Sequence, residues 1–259
     1  MAQTQDFVRT RPLAGWFGHV TSIDSTNREL LQGAAELPGW AVLVADLQTS
    51  GRGRSGRQWE APAGSSMLAS VLIRPIGVQP TEFAWIPLIA GLSMVDAIAS
   101  LPGGVRADVK WPNDVLIHDQ KVCGILSELL ADLSGVVVGS GANVFQNQDE
   151  LPIETATSLR IAGAQIAEID ELLSAYLNQL QRNLAEFESL AGELEGSDLL
   201  TRIKAACTTI GRDVRVILPN ATEFLGVATD IDGLGRLVVR GSTETLTVSA
   251  GDVMHLRHN

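Results

Sequence analysis

Residues 51–59 read G-R-G-R-S-G-R-Q-W, and the reading of this stretch decides the fold. The pattern Gly51-x-Gly53-x-x-Gly56 fits the glycine fingerprint of a dinucleotide-binding unit, which requires a strand before the glycines and a helix opening on them. Residues 41–45, A-V-L-V-A, supply a strand. Residues 58–66, Q-W-E-A-P-A-G-S-S, supply no helix, because Pro62 and Gly64 break any helical turn. Arg52, Arg54 and Arg57 also crowd positions that a dinucleotide loop leaves small. The stretch therefore reads as a basic loop that follows a buried strand.

Positive charge is scarce here: 19 Lys and Arg stand against 30 Asp and Glu, a formal net charge of −11. Gathering three arginines among three glycines points to an anionic ligand held close to the backbone. Glycine permits close approach and positive φ, and guanidinium forks match phosphate or carboxylate oxygens. Trp59 offers a flat face to an aromatic ligand. The competing reading is a solvated basic loop without a ligand.

With 259 residues, 45% of them hydrophobic, the chain suffices for one large domain plus a small one. No run of 18 apolar residues is present and the first residues lack a signal-peptide core, so no membrane span and a cytoplasmic location are expected. Cys123 and Cys207 are too few for a disulfide framework, and the four histidines have no ligand spacing. A pI near 4.8 argues against broad nucleic-acid binding.

Hydrophobic patterning predicts strands over residues 14–24, 41–47, 67–73, 108–117, 121–129 and 135–144. Helices are predicted from Asp24–Thr26 onward, with Thr26 and Glu29 as a capping box, over 84–99, and over 171–190. A second unit is expected from about Cys207. Its five short strands (214–218, 224–230, 237–240, 246–248 and 253–256), separated by turns such as Pro219-Asn220 and Asp232-Gly233, suit a small β-barrel.

Further polar strings stand at element ends. Ser25-Thr26-Asn27 opens the first helix, as plain caps or as ligand donors. In K-W-P-N-D-V (110–115), Pro112 bends a strand or marks an edge, and Asn113 and Asp114 form a polar turn or face a ligand. Lys121 opens K-V-C-G-I-L-S-E, snorkelling or aimed at a site. G-S-G-A-N-V (139–144) ends an apolar strand, a plain bend or a close-approach point beside Asn143.

Together these strings, with Q-T-S at 48–50 before the arginine loop, resemble biotin protein ligase in order and spacing over roughly residues 15–190, and the C-terminal strands resemble that family's small terminal domain. The resemblance implies an α/β (α+β) fold: a mixed-sheet catalytic domain of the biotin/lipoate ligase type over residues 1–205 and an SH3-like β-barrel over 206–259. It implies ATP-dependent activation of biotin to biotinyl-5′-AMP, then transfer to a lysine of the biotin carrier domain of an acyl-CoA or pyruvate-type carboxylase. Lys121, Arg54 and Arg52 are the implied catalytic residues. Ser25, Thr26, Asn27, Gln48, Gly51, Arg52, Gly53, Arg54, Lys121, Gly124, Gly139 and Gly141 would bind biotin. Arg54, Arg57, Trp59, Asn113, Asp114, Lys121 and Asn143 would bind ATP, with Asp114 facing Mg2+. The implied state is a monomer or a weak ligand-dependent dimer.

Ser55 stands where the family often has another arginine, Cys123 where alanine is usual, and Ala142 where a larger apolar residue is common. About two dozen residues precede Ser25, too few for a helix-turn-helix domain, so no operator binding is expected. Lipoate ligation, a non-catalytic biotin or nucleotide sensor and a nucleic-acid regulator are the rival readings.

Overall fold

The computed structural model describes residues 6–218, 221–249 and 251–256. Its larger sheet holds β1 (Trp16–Val20), β2 (Ala41–Ala45), β3 (Ser66–Ile73), β4 (Asp108–Lys110), β5 (Asp114–Ile117), β6 (Gln120–Leu129) and β7 (Val136–Asn143), in the order β1-β2-β3-β7-β6-β5-β4. The β1–β2 pair is parallel and the others antiparallel, so the sheet is mixed.

Period-two alternation splits this sheet into two unlike faces. Val42, Val44, Val71, Ile73, Val136 and Val138 join the main core, which α2 (Ile86–Ser100) and α3 (Ile169–Ser189) cover. The opposite face is apolar only at one end. There Leu43, Leu72 and Val137 pack on Leu30 and Ala34 at α1 (Thr26–Gly33). Further along, Ser70, Gly139, Gly141 and Gly124 carry little or no side chain, and the three glycines line the floor of a cleft. Both faces of β2 and β3 are covered, which is why their sequences are continuous apolar runs rather than alternating ones.

The helix α2 is apolar on several faces, with Ile86, Leu88, Ile89, Leu92, Met94 and Ile98 all buried. Each such side chain stabilises the fold by roughly 1.5–3 kcal/mol, so tertiary burial rather than propensity holds it. The stretch Pro80–Ser100 is long and apolar enough by composition to cross a membrane, yet 67% of its most apolar window is buried inside the protein. That is the condition of a core helix.

A second sheet comprises β8 (Asp213–Ile217), β9 (Glu223–Ile231), β10 (Leu237–Arg240), β11 (Thr245–Val248) and β12 (Asp252–His255), all antiparallel, in the order β11-β10-β9-β8-β12. This is the small five-stranded C-terminal unit expected from the sequence; among the described residues no pairing joins β11 to β12, so the sheet is open there. The edge strand β4 abuts this sheet. Trp111 donates from its backbone N to Thr209 Oγ1 (3.0 Å) and from Nε1 to the Gly235 carbonyl (3.0 Å).

Two expectations are corrected and one element is added. The first strand stops at Val20, and beyond it only Ile23 bridges Gln48. The strand expected over 108–117 divides into β4 and β5 at a turn that carries the cis Trp111–Pro112 peptide. A helix the pattern did not reveal, α4 (Asp198–Ala206), leads to the second sheet; Ser197 caps it by accepting from the Leu200 N–H. Its nine residues are too few for a clear helical period. The turn expected at Pro219-Asn220 lies outside the described residues.

Candidate active site

A cleft of about 870 Å3 lies over the bare face, bounded by the start of α1, the 51–59 loop and β12. At one end the N-terminus of α1 supplies a polar cluster. Ser25, not Thr26, is the N-cap, its side chain accepting from Arg28 N. This frees Thr26, whose N–H and hydroxyl approach Gln48 Oε1 at 2.8 and 3.0 Å and whose Oγ1 lies 2.7 Å from Ser70 Oγ. The Ser70 hydroxyl donates to Asn27 Oδ1 (2.6 Å), and Asn27 Nδ2 donates to the Leu126 carbonyl and to Glu128 Oε2 (2.9 Å). Ser25, Thr26 and Asn27 are buried, so these groups have fixed directions before any ligand arrives.

The floor is glycine. Gly124 and Gly141 are cross-strand partners, and Gly139 faces Leu126. A β-carbon at Gly141 would stand 2.6 Å from the Trp59 indole, and one at Gly124 3.1 Å from the same ring and 3.2 Å from Lys121 Nζ. Side chains from outside the sheet therefore lie directly on its backbone.

The arginine loop is a tight ribbon. Gly53 N donates to the Arg57 carbonyl (2.7 Å) and Trp59 N to the Gly51 carbonyl (3.0 Å). Its tip turns through Ser55 (φ 56°) and Gly56 (φ 74°), so the serine carries left-handed backbone. Arg52 pairs with Glu128 (2.9 Å), Arg54 donates to Asn113 Oδ1 (2.9 Å) and to the Gly251 carbonyl (3.4 Å), and Arg57 pairs with Asp252. Gly51 does not line the cleft. It is buried beneath Trp59, whose carbonyl any β-carbon there would strike.

Lys121 Nζ sits 2.6 Å from Asp114 Oδ1 and 5.7 Å above the Trp59 ring. Its backbone is fixed by the 153–157 segment, donating to the Thr155 carbonyl (2.8 Å) and accepting from Thr157 N (2.9 Å). Burial lowers the Arg54 and Lys110 pKa values, with Asp252 and Asp114 opposing it for both. Burial pushes the Cys123 thiol up to about 12 and, with Lys110 and Arg212 nearby, His255 down to about 4. Asn143 lines the cleft, but its amide serves the fold, donating to the Thr157 carbonyl (3.0 Å) and accepting from Gln146 (3.2 Å).

The structure thus gathers every sequence-predicted site residue except Gly51 around one cleft. It adds Lys110, Asp252 and His255 to the lining, and Ser70 and Glu128 behind it as partners of Thr26, Asn27 and Arg52. Glu128 was legible: it shares a period of two with Gly124 along β6. Asp252 and His255 come from a distant strand, and no local signal marked them. Among the described residues no group of three His, Cys, Asp or Glu is placed to hold a metal.

A family model described as the biotin/lipoate A/B protein ligase family matches residues 18–143, and one described as the biotin protein ligase C-terminal domain matches residues 209–256. A biotin–[acetyl-CoA-carboxylase] ligase of Mycobacterium tuberculosis is 38% identical over 251 residues, which is 94% of this chain and 91% of the relative. The bifunctional ligase/repressor BirA of Escherichia coli is 31% identical across 84% of this chain and 67% of its own length. Among solved structures, the Aquifex aeolicus biotin protein ligase in complex with biotin and ATP has a TM-score of 0.80 at 26% identity, covering 94% of this chain and 100% of that one.

Proposed function

From the premise that this chain belongs to the biotin protein ligase family, we propose that its cleft joins biotin to ATP and then passes biotin to a lysine of a carboxylase biotin carrier domain. What carries the reading is the sequence of groups across the sheet: a prearranged polar cluster beside β3 and β7, Lys121 on β6, and Asp114 on β5. The cluster of Thr26, Asn27, Ser70 and Gln48 presents donors and acceptors suited to a ureido ring, and the glycine floor admits a flat bicycle. A dithiolane offers no hydrogen-bonding edge to this cluster, which disfavours lipoate.

The first step brings a carboxylate against a phosphate, so repulsion and the charge growing at phosphorus must be offset. Lys121 is the cation between the two, and Arg52 and Arg54 extend the field on either side. Removing one such fixed donor costs about 3–4 kcal/mol of barrier. Arg57 serves the triphosphate, Trp59 covers the adenylate, and Asn113 and Asn143 border the nucleotide. Mg2+ keeps most of its waters and binds largely through substrate phosphates. Asp114, a lone carboxylate held by Lys121, suits an ion delivered with ATP rather than a resident metal.

The enzyme acts as a cytoplasmic monomer, or as a dimer that ligand promotes, and needs no nucleic acid. A net charge of −11 supports the last point. The test is exchange of radiolabelled pyrophosphate into ATP. Exchange that requires biotin and falls sharply in Lys121→Ala supports adenylation; biotin binding with no exchange makes the protein a sensor.

A further inference from the structure

Six cations line the cleft: Arg52, Arg54, Arg57, Lys110, Lys121 and Arg212. Five are engaged. Arg52 meets Glu128, Arg54 meets Asn113, Arg57 meets Asp252, Lys121 meets Asp114, and Arg212 meets Asp119 at 2.7 Å. Lys110 alone makes no hydrogen bond or ion pair among the described residues, although it is half-buried. Asp114 and Asp252 reach it only through space; a half-buried cation with no direct partner is costly, and a bound anion would supply the missing contact.

Its position identifies that ligand. Lys110 on β4 lies directly opposite Asp114 on β5, so both side chains stand on one face. Asp114 is already taken by Lys121 from β6. The sheet order β3-β7-β6-β5-β4 then lays the polar cluster, Lys121, Asp114 and Lys110 along one line. Strands are spaced by roughly 4.8 Å, so Lys110 stands roughly 10 Å beyond Lys121. Arg57, Asp252 and His255 of β12 line the same cleft and act electrostatically with Lys110.

We propose that Lys110 binds the β- and γ-phosphates of ATP and retains the pyrophosphate as it leaves. The inference rests on the ligase reading above. In the step concerned, a biotin carboxylate oxygen bonds to the α-phosphorus while the bond from that phosphorus to its bridging oxygen breaks. The electron pair departs on pyrophosphate, and Lys110 meets the charge at the far end of the line that Lys121 begins. A bound anion also repays the burial that otherwise lowers the lysine's pKa.

Lys110→Met keeps the length of the side chain and removes its charge; Lys110→Arg keeps the charge. Steady-state adenylation should show the KM for ATP and the inhibition constant for pyrophosphate each raised roughly tenfold in Lys110→Met, the worth of one charge-assisted hydrogen bond, and largely restored in Lys110→Arg. The affinity for biotin alone, the thermal midpoint, and transfer from synthetic biotinyl-adenylate to a carrier domain should stay within twofold of wild type. Pyrophosphate inhibition unmoved in Lys110→Met, or an equal loss in biotin binding or in transfer, overturns the assignment. A wild-type protein that shows no biotin-dependent exchange overturns the ligase reading instead, so the two failures are distinct.

Discussion

A β-carbon at Gly139 would run into the side-chain amide of Asn27. The strand and the start of α1 meet there with no space between them, and Asn27 is fixed by Ser70, Leu126 and Glu128. Gly139→Ala must displace that amide, and the affinity for biotin, measured by titration calorimetry, should fall by at least roughly tenfold, or about 1.4 kcal/mol. Gly141→Ala should act differently. Its β-carbon meets the Trp59 ring, so it should raise the KM for ATP more than it lowers biotin affinity. Equal effects of both substitutions on both ligands would contradict the separation of the cleft into two ends.

The Arg57–Asp252 ion pair and the Arg54 contact with Gly251 tie the basic loop to the second sheet. Asp252→Ala should therefore loosen the loop. Limited trypsin digestion should cut after Arg57 several times faster in the variant than in wild type, with ATP and biotin together protecting both proteins. An unchanged rate would show that the tether contributes nothing to loop order, as many exposed ion pairs contribute little.

His255 is held down to about 4 in the folded protein, chiefly by burial, against an ordinary value of 6.5. The neutral ring in the native state binds fewer protons than the unfolded chain across this interval, so stability is full above pH 6.5 and declines as pH falls toward 4. Allowing for the ring's remaining solvent access, the loss is about 1–2 kcal/mol. Thermal midpoints taken at pH 7 and pH 5 should differ by several degrees, and His255→Gln should narrow that difference. The same gap in the variant would assign the acid sensitivity elsewhere.

Cys123 is fully buried, on the face of β6 turned toward the core, and its thiol is pushed up to about 12. The thiolate that reacts with alkylating agents is therefore almost absent at neutral pH. Native protein treated with iodoacetamide should retain adenylation activity, and mass spectrometry should find Cys123 unmodified until denaturant is added. Rapid modification of Cys123 in folded protein would reject its placement.

Much of this was readable before any coordinates. The apolar runs at 41–45 and 67–73 could only be strands buried on both faces, and Pro62 and Gly64 excluded the helix that a dinucleotide loop needs. Motif strings at strand ends pointed to residues that the fold brings to one cleft, among them Thr26, Arg54, Asn113 and Lys121. The reading failed where a role depends on a partner remote in sequence. Ser25 rather than Thr26 caps α1 because Gln48 and Ser70 claim the threonine hydroxyl. Asp252 enters the site through an ion pair 195 residues from its mate. Gly51 lies outside the cleft lining, packed against the Trp59 carbonyl that a β-carbon there would strike. Local pattern carries periodicity and turn chemistry; it does not carry the partner a side chain meets across the fold.

The pairing of Arg52, Arg57, Lys121 and Arg212 with Glu128, Asp252, Asp114 and Asp119 has a consequence for solution behaviour. An arriving anion finds no bare positive well at these positions; it displaces an acid that the protein already carries, and the count of opposed charges hardly changes. Affinity for biotin and ATP should then depend far less steeply on ionic strength than that of a protein that collects polyanions by releasing counterions. Selectivity follows as well. A polyanion of the wrong outline expels these carboxylates without replacing every contact they made, so the protein's own acids compete against all but a well-fitted guest.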